Sequence, residues 1–183
     1  SDGLNVELSV DWFIQDVVEK EIARIVDDFL PRGVSVIVSE PTSGGILAMA
    51  NAPDFDLNNY NKFDFDSQRN RALTDVYEPG STFKIVSLGG CLNEGILETN
   101  DIIDCSKPII NRGHRIYRLP SDHNQLGKIS VKKVVQKSSN RGAAQMGILL
   151  GANRMYEYCK LFGFGQKTGL GIGGERVGTL HNP

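Results

Sequence analysis

The sequence lacks a long hydrophobic run and an excess of positive charge. None of its windows reaches the roughly 18 consecutive apolar residues that a membrane-spanning helix needs. Its 20 lysines and arginines are balanced by 22 aspartates and glutamates, which leaves a net charge of −2. This balance excludes a general nucleic-acid binder, because such a protein needs a basic face to neutralise phosphates.

Cysteine is also scarce, and the residues present form no metal or disulfide pattern. Cys91, Cys105 and Cys159 are odd in number, widely spaced and not part of a C-x-x-C pair. We therefore expect them to be small buried hydrophobic residues. The three histidines are too scattered to suggest a zinc site. Neither residue type therefore predicts a metal site.

What remains is an ordinary globular composition, with 40% hydrophobic and 23% charged residues. Residues 5–10 alternate enough to predict a short strand. Asp11 can cap the amphipathic helix that follows, and the Pro-Arg-Gly at 31–33 ends it. Two β-branched or apolar runs, 34–39 and 46–50, flank a turn and predict a β-hairpin.

The rest of the chain predicts mostly helices. A long ordered loop, anchored by its aromatic residues, is expected over 51–79, and a helix from Ser81 to about Asn93. Residues 97–125 are expected to be irregular. Further helices are predicted at 128–137, 140–150 and 153–162. The fold class is therefore α/β in the α+β sense, an antiparallel sheet flanked by helices. One hairpin and one strand make a small sheet, since sheets usually carry about four to six strands, so we expect C-terminal strands to be missing.

Two short patterns carry the chemistry. Ser81 and Lys84 are three residues apart at the start of a predicted helix, so their side chains share a face. A desolvated lysine has a lowered pKa and can take the proton of a serine hydroxyl. Ser138 could relay a proton to a leaving amine, and Asn140 could hold a substrate amide. Each pattern alone is more simply interpreted as a helix cap with solvated neighbours.

Together the two patterns, S-x-x-K and S-x-N, are typical of penicillin-binding proteins and serine β-lactamases. The segment RNRALTDVYEPGSTFK at 69–84 resembles the nucleophile segment of class B penicillin-binding proteins. Residues 41–50 are similar to the first hairpin of these proteins. Residues 162–169, together with Gly174-Glu175, are similar to a stretch that follows their second motif. The match covers nearly the whole chain, and its details look more like the cell-division members than the elongation members.

The resemblance implies the fold, the activity and the partners, and it implies that no metal or cofactor is required. The chain would be a partial transpeptidase domain, residues 1–183, of penicillin-binding fold. Ser81 would attack the carbonyl of D-Ala-D-Ala stem peptides and pass the acyl group to a neighbouring amine, and β-lactam antibiotics would acylate the same serine. The parent protein would be membrane-anchored on the periplasmic face of the bacterial inner membrane and would meet other cell-wall and division proteins.

A third motif is suggested by Lys167-Thr168-Gly169, but we interpret this triplet as a decoy. The family's third element lies on an edge strand, whereas this triplet follows a helix in a glycine-rich stretch and comes only 29 residues after Ser138 (167 − 138). The chain would then lack one wall of its cleft, and we expect weak or no enzymatic activity from it alone. Asp122, His123 and Arg115 are expected to make ordinary loop contacts rather than line the cleft.

Two other functions remain open. A β-lactamase or β-lactam sensor would share Ser81 and Lys84 but differ in the fate of the acyl-enzyme, and the sequence shows no glutamate motif that would activate a deacylating water. A non-catalytic interaction module of the cell-wall machinery would keep the fold without the reaction. The intact serines, lysine and asparagine argue against that module for the parent protein.

Overall fold

The computed structural model describes residues 3–183, which divide into two units. The first unit is the chain up to Val76 with Gly171–Arg176, and the second is Tyr77–Leu170 with Val177–Pro183. Ser1 and Asp2, which the predicted domain includes, lie outside the described residues. No helix in the described part is long and apolar enough to cross a membrane.

The first unit packs one helix against one hairpin, and both elements are predicted by the sequence. Helix α1 spans Trp12–Phe29, and strands β1 (Val34–Ser39) and β2 (Ile46–Ala52) pair in antiparallel register. The Asp11 carboxylate accepts a hydrogen bond from the amide of Ile14 at 3.0 Å, which confirms the predicted N-cap. The small core forms where the buried face of α1 meets β2, and consists of Val18, Ile22, Ala48 and Ala50.

The strand predicted at residues 5–10 is wrong. This segment joins no sheet, and its alternating apolar side chains are exposed. It is attached to β2 only near its end, where the Ser9 hydroxyl donates to the Ile46 carbonyl at 2.7 Å. An alternating pattern predicts a strand only when one face has a surface to cover.

The loop after β2 is ordered, as predicted, although only some of its aromatic residues anchor it. It contains a 3-10 helix, Leu57–Lys62, and a short helix α2, Arg71–Thr74. The rings of Phe55 and Phe63 meet edge to face at 6.3 Å between centroids. Phe65, in contrast, is 91% exposed and anchors nothing. Arg71 contributes instead by pairing with aspartates on both sides of it in the sequence.

The second unit is built around three helices and a short fourth. Helix α3 spans Lys84–Asn93, α4 Val131–Gln136, α5 Asn140–Leu150 and α6 Ala152–Leu161. Their shared core is apolar and includes all three cysteines, which are free and buried as predicted. The helices approach closely at two glycines. A Cβ at Gly90 would lie 2.5 Å from Leu150 Cδ2, and one at Gly142 would lie 2.5 Å from Val134 Cγ1.

The region predicted to be irregular contains three short strands, so that prediction is wrong. Strands β3 (Ile102–Asp104), β4 (Ile109–Arg112) and β5 (Arg115–Arg118) lie there, and β6 (Lys128–Ser130) occupies the start of a predicted helix. Strand β3 pairs with β6 and β4 with β5, both antiparallel. Strands of three or four residues are too short to show an alternating pattern. The predicted class, helices with antiparallel strands, is confirmed.

Candidate active site

Ser81 lies on a tight helical turn that leads into α3. Residues Gly80–Phe83 form a 3-10 helix, and Gly80 begins it with a φ of 59°, which favours glycine. A 3-10 helix has three residues per turn, so the side chains of residues i and i+3 are stacked in line. The turn therefore places exposed Ser81 and half-buried Lys84 on one face, as the sequence predicts.

The ammonium of Lys84 joins this turn to the S-x-N segment. Its Nζ donates to the Ser138 carbonyl at 2.5 Å, to the Ser138 hydroxyl at 2.9 Å and to Asn140 Oδ1 at 2.7 Å. Three acceptors match the three N–H groups of a lysine ammonium. In this arrangement all three N–H groups of the protonated lysine donate to the S-x-N segment, and Ser81 is not among the hydrogen-bond partners of Lys84.

Ser138 offers two of these acceptors because of its unusual backbone. The amide of Ser138 donates to Val135 O and that of Ser139 to Val134 O, both at 2.9 Å. These bonds close α4 in a Schellman motif, whose central residue must be left-handed and is usually glycine. Ser138 occupies that position with a φ of 51°. The turn thus directs both its carbonyl and its hydroxyl to Lys84.

Asp122 fixes the start of α5. Its carboxylate accepts from the Ser139 hydroxyl at 2.7 Å and from the amides of Asn140 and Arg141 at 2.5 and 3.1 Å. A negative charge at a helix N-terminus also interacts favourably with the helix dipole. The Asn140 side chain is held from its other end, because its Nδ2 donates to the Ser121 carbonyl at 3.0 Å. Asp122 therefore positions the residue that binds Lys84.

The motif residues open onto a common cavity of about 230 Å³. Three of the four predicted site residues line it, whereas Lys84 is outside the lining and is hydrogen-bonded to two lining residues, Ser138 and Asn140. The full lining consists of Ser81, Asp122, His123, Asn124, Leu126, Lys137, Ser138 and Asn140. The expectation that Asp122 and His123 make only ordinary loop contacts is wrong, while Arg115 lies on strand β5, outside this lining.

Burial lowers the pKa of Lys84 below its usual 10.5, and the negative charge of Asp122 opposes part of this shift by raising it. Desolvation penalises the charged form of a lysine, whereas a nearby carboxylate stabilises it. Burial therefore favours the neutral amine of Lys84, whereas Asp122 and the three hydrogen-bond acceptors favour its ammonium form. A lysine tuned in this way can exchange a proton with a neighbouring hydroxyl.

Lys167-Thr168-Gly169 lies in a segment without helix or strand. Its interpretation as a decoy expects no strand at this triplet, and that interpretation stays a prediction. Leu170 N donates to the Thr168 hydroxyl at 3.4 Å, a local turn contact. Among the described residues, no three histidine, cysteine, aspartate or glutamate side chains come together in a group that could hold a metal ion.

Comparison with known proteins identifies the family. Residues 34–183 match the penicillin binding protein transpeptidase domain. The chain belongs to this family, which confirms the resemblance carried by the S-x-x-K and S-x-N segments.

Curated relatives and solved structures agree with this assignment. The chain is 35% identical over 182 residues to stage V sporulation protein D of Bacillus subtilis, covering 98% of this chain and 28% of that protein. It is 32% identical over 174 residues to peptidoglycan D,D-transpeptidase FtsI of Escherichia coli K12, covering 95% and 29%. A transpeptidase domain of Burkholderia pseudomallei penicillin-binding protein 3 superposes with a TM-score of 0.78 at 26% identity, covering 98% and 49%. The chain thus spans less than a third of these two curated relatives.

Proposed function

We propose that the chain is a partial transpeptidase domain, residues 1–183, carrying the nucleophile side of a serine D,D-transpeptidase active site that cross-links peptidoglycan stem peptides. One observation carries this proposal. Lys84 lies on the same helical face as Ser81, and its ammonium is hydrogen-bonded to Ser138 and Asn140. Structural capping would not require a lysine to link two helix ends that are 54 residues apart in the sequence.

In the acylation step, the neutral amine of Lys84 takes the proton of Ser81 as Oγ attacks the carbonyl of the penultimate D-Ala. The carbon–nitrogen bond to the terminal D-Ala then breaks. The Ser138 hydroxyl accepts a hydrogen bond from Lys84 and can donate its own proton, so it relays a proton to the leaving amine. The Asn140 amide, fixed at both ends, is available to orient the substrate backbone.

In the second step, an amine of a neighbouring stem peptide attacks the Ser81 ester and releases the serine. Lys84 and Ser138 can carry the proton in the opposite direction, from the attacking amine to Ser81, because the second step mirrors the first. A β-lactam would acylate Ser81 by the first step alone. We place the parent protein on the periplasmic face of the inner membrane, in the cell-division machinery, because its relatives include FtsI; further division proteins are the partners this implies.

Exposure of the full chain to benzylpenicillin, followed by intact mass and peptide mapping, tests the proposal. We expect a slow, stable adduct on Ser81 that is absent from Ser81→Ala. Ser121→Ala removes another exposed serine near the site and serves as the control that keeps the adduct. An adduct that turns over would favour the β-lactamase. No adduct on a folded chain, nor on the chain extended at its C-terminus, would contradict the proposal and favour the non-catalytic module.

A further inference from the structure

The β4–β5 hairpin is a strongly cationic element on a chain of net charge −2. Residues 106–121, which include both strands, contain three arginines, a lysine and a histidine but no aspartate or glutamate. Lys107 has a long contact of 3.8 Å with Asp104, and Arg112 donates to the Ile148 carbonyl at 3.3 Å. Arg115 and Arg118, both on β5, form no salt bridge within the described part of the chain. Two unpaired positive charges are therefore concentrated on one strand.

Strand β5 is also an open edge. Its backbone pairs with β4 alone, and no other described segment hydrogen-bonds to it. Ile116 is 72% exposed. An exposed edge with unpaired N–H and C=O groups is a template for another strand. The arginines would guard it against self-pairing, because like charges repel, yet the same charges attract an acidic strand.

The hairpin is held firmly at its base. The Arg141 guanidinium donates to the carbonyls of Cys105, Ser106 and Pro120, at distances of 3.0–3.2 Å. Leu119, at the end of β5, is buried and donates its amide to Pro108 O at 2.8 Å. A two-stranded ribbon is only marginally stable by itself, so this clamp presents the edge in a fixed position. A fixed edge loses less conformational freedom on binding.

The positions of the arginines define the partner. Successive residues of a strand face opposite sides of the sheet, so Arg115 and Arg118, three apart, point to opposite faces. A flat membrane could contact only one of them at a time. A strand added along the edge reaches both, provided that its own acidic residues are three apart.

We propose that β5 is a docking edge for an extended acidic segment of a partner protein, with two acidic residues at positions i and i+3. The segment hydrogen-bonds to the free backbone of Arg115–Arg118, its carboxylates meet the two arginines on opposite faces, and an apolar residue between them covers Ile116. This inference concerns a surface outside the cavity that Ser81 lines, and it does not depend on the proposed reaction.

Two labelled peptides of identical composition test the spacing. Thr-Glu-Val-Thr-Glu-Val places its glutamates three apart, and Thr-Glu-Val-Glu-Thr-Val places them two apart, on one face. We expect the first to bind the full chain more tightly, by about threefold, because the second can form only one of the two ion pairs. Anisotropy gives the dissociation constants, and amide hydrogen exchange should show new protection confined to β5.

Charge variants provide the second arm. We expect Arg115→Glu with Arg118→Glu to weaken binding of the first peptide by about tenfold or more, because two attractions become repulsions. Lys132→Glu with Lys133→Glu makes the same charge change on α4 and should have less than about a twofold effect. Circular dichroism checks that each variant is folded. If the double glutamate variant unfolds, the milder pair Arg115→Gln with Arg118→Gln takes its place.

Several results would overturn the proposal. These are equal affinity for the two peptides, equal weakening by both charge variants, no protection of β5, or no binding at all. Binding of phosphatidylglycerol vesicles without binding of the peptide would assign the surface to lipid instead. Displacement by polyphosphate with no preference between the two peptides would assign it to a general polyanion.

Discussion

At the scale of single residues, Ser138 must satisfy two demands. Its left-handed backbone closes α4, and its hydroxyl and carbonyl both accept from Lys84. Left-handed backbone costs a non-glycine residue about 1–2 kcal/mol. Serine thus holds a strained conformation at a position where glycine would be relaxed, and we propose that the contact of its hydroxyl with Lys84 is the reason.

Two substitutions of Ser138 separate these demands. Both Ser138→Gly and Ser138→Ala remove the hydroxyl, so both should slow acylation of Ser81 by penicillin to a similar extent. Only glycine relieves the backbone, so the glycine variant should be more stable than the alanine variant by about 1 kcal/mol in chemical denaturation. Equal stabilities would show that the φ of Ser138 costs nothing, and unchanged acylation would remove the hydroxyl from the mechanism.

The lowered pKa of Lys84 predicts the pH dependence of acylation. The base is the neutral amine, whose fraction grows as pH rises through the pKa, so the rate should increase with pH. Because burial lowers this pKa, the midpoint should lie below 10.5. The rate of adduct formation on Ser81, followed by intact mass across pH, measures it, and Lys84→Arg should show no such rise because arginine stays charged. A midpoint at or above 10.5 would contradict the burial of the amine.

Asp122→Asn should move that midpoint further down. The negative charge of Asp122 raises the pKa of Lys84, so removing it favours the neutral amine at lower pH. In the asparagine side chain, an NH₂ group replaces the oxygen that accepts from the Ser139 hydroxyl, so this hydroxyl loses its acceptor. One unsatisfied hydrogen bond costs about 1–3 kcal/mol of stability. A purely structural role would lower stability and rate without moving the midpoint. Asp101→Asn, in the same unit, should leave the midpoint unchanged.

At the scale of elements, the position of α5 depends on a missing side chain. A Cβ at Gly142 would lie 2.5 Å from Val134 Cγ1, whereas Gly147, on the same helix, has no atom within 4 Å of such a Cβ. We expect Gly142→Ala to destabilise the chain by about 1–3 kcal/mol through overpacking. Gly147→Ala should stabilise it by up to about 1 kcal/mol because alanine favours helix. Thermal denaturation of both measures the difference, and equal effects would contradict close packing there.

The elements that the sequence predicts well are those whose signals are local. Helices α5 and α6 differ by at most one residue at either end from the predicted ranges, because Ser139 caps one and Gly151 separates the two. Strand β3 could not be predicted, because it pairs with β6, which is distant in the sequence. Ile102 of β3 lies opposite Ser130 of β6. The β4–β5 hairpin did carry a local signal in the sequence, a glycine between two pairs of apolar residues. Its strands are too short for an alternating pattern to accompany this signal.

The same distinction applies to the site. Ser81, Lys84, Ser138 and Asn140 belong to short patterns, and the structure places them together around the Lys84 ammonium and the adjoining cavity. Asp122 lies 17 to 19 residues from the groups it binds. No spacing rule connects an aspartate in an irregular segment with a helix start so far away, so only the folded chain identifies its role.

At the scale of the whole molecule, each unit has its own hydrophobic cluster. Met146→Ala should cost about 2–5 kcal/mol through the cavity it leaves in the second unit. Hydrogen exchange should then show lost protection in α3 and α5 but retained protection in β1 and β2. Ile22→Ala should give the reverse pattern. Uniform loss in both variants would show instead that the two clusters unfold as a single cooperative block.

The Arg141 clamp has a mechanical consequence. Arg141 directly follows Asn140, and its guanidinium holds the two ends of the hairpin segment, while Asp122 fastens the chain just beyond to the same helix start. The segment between these points is therefore a closed loop, and Arg112 near its tip also donates to the Ile148 carbonyl in the last turn of α5. A load on the hairpin would therefore be carried by hydrogen bonds to both ends of α5, the helix that begins at Asn140.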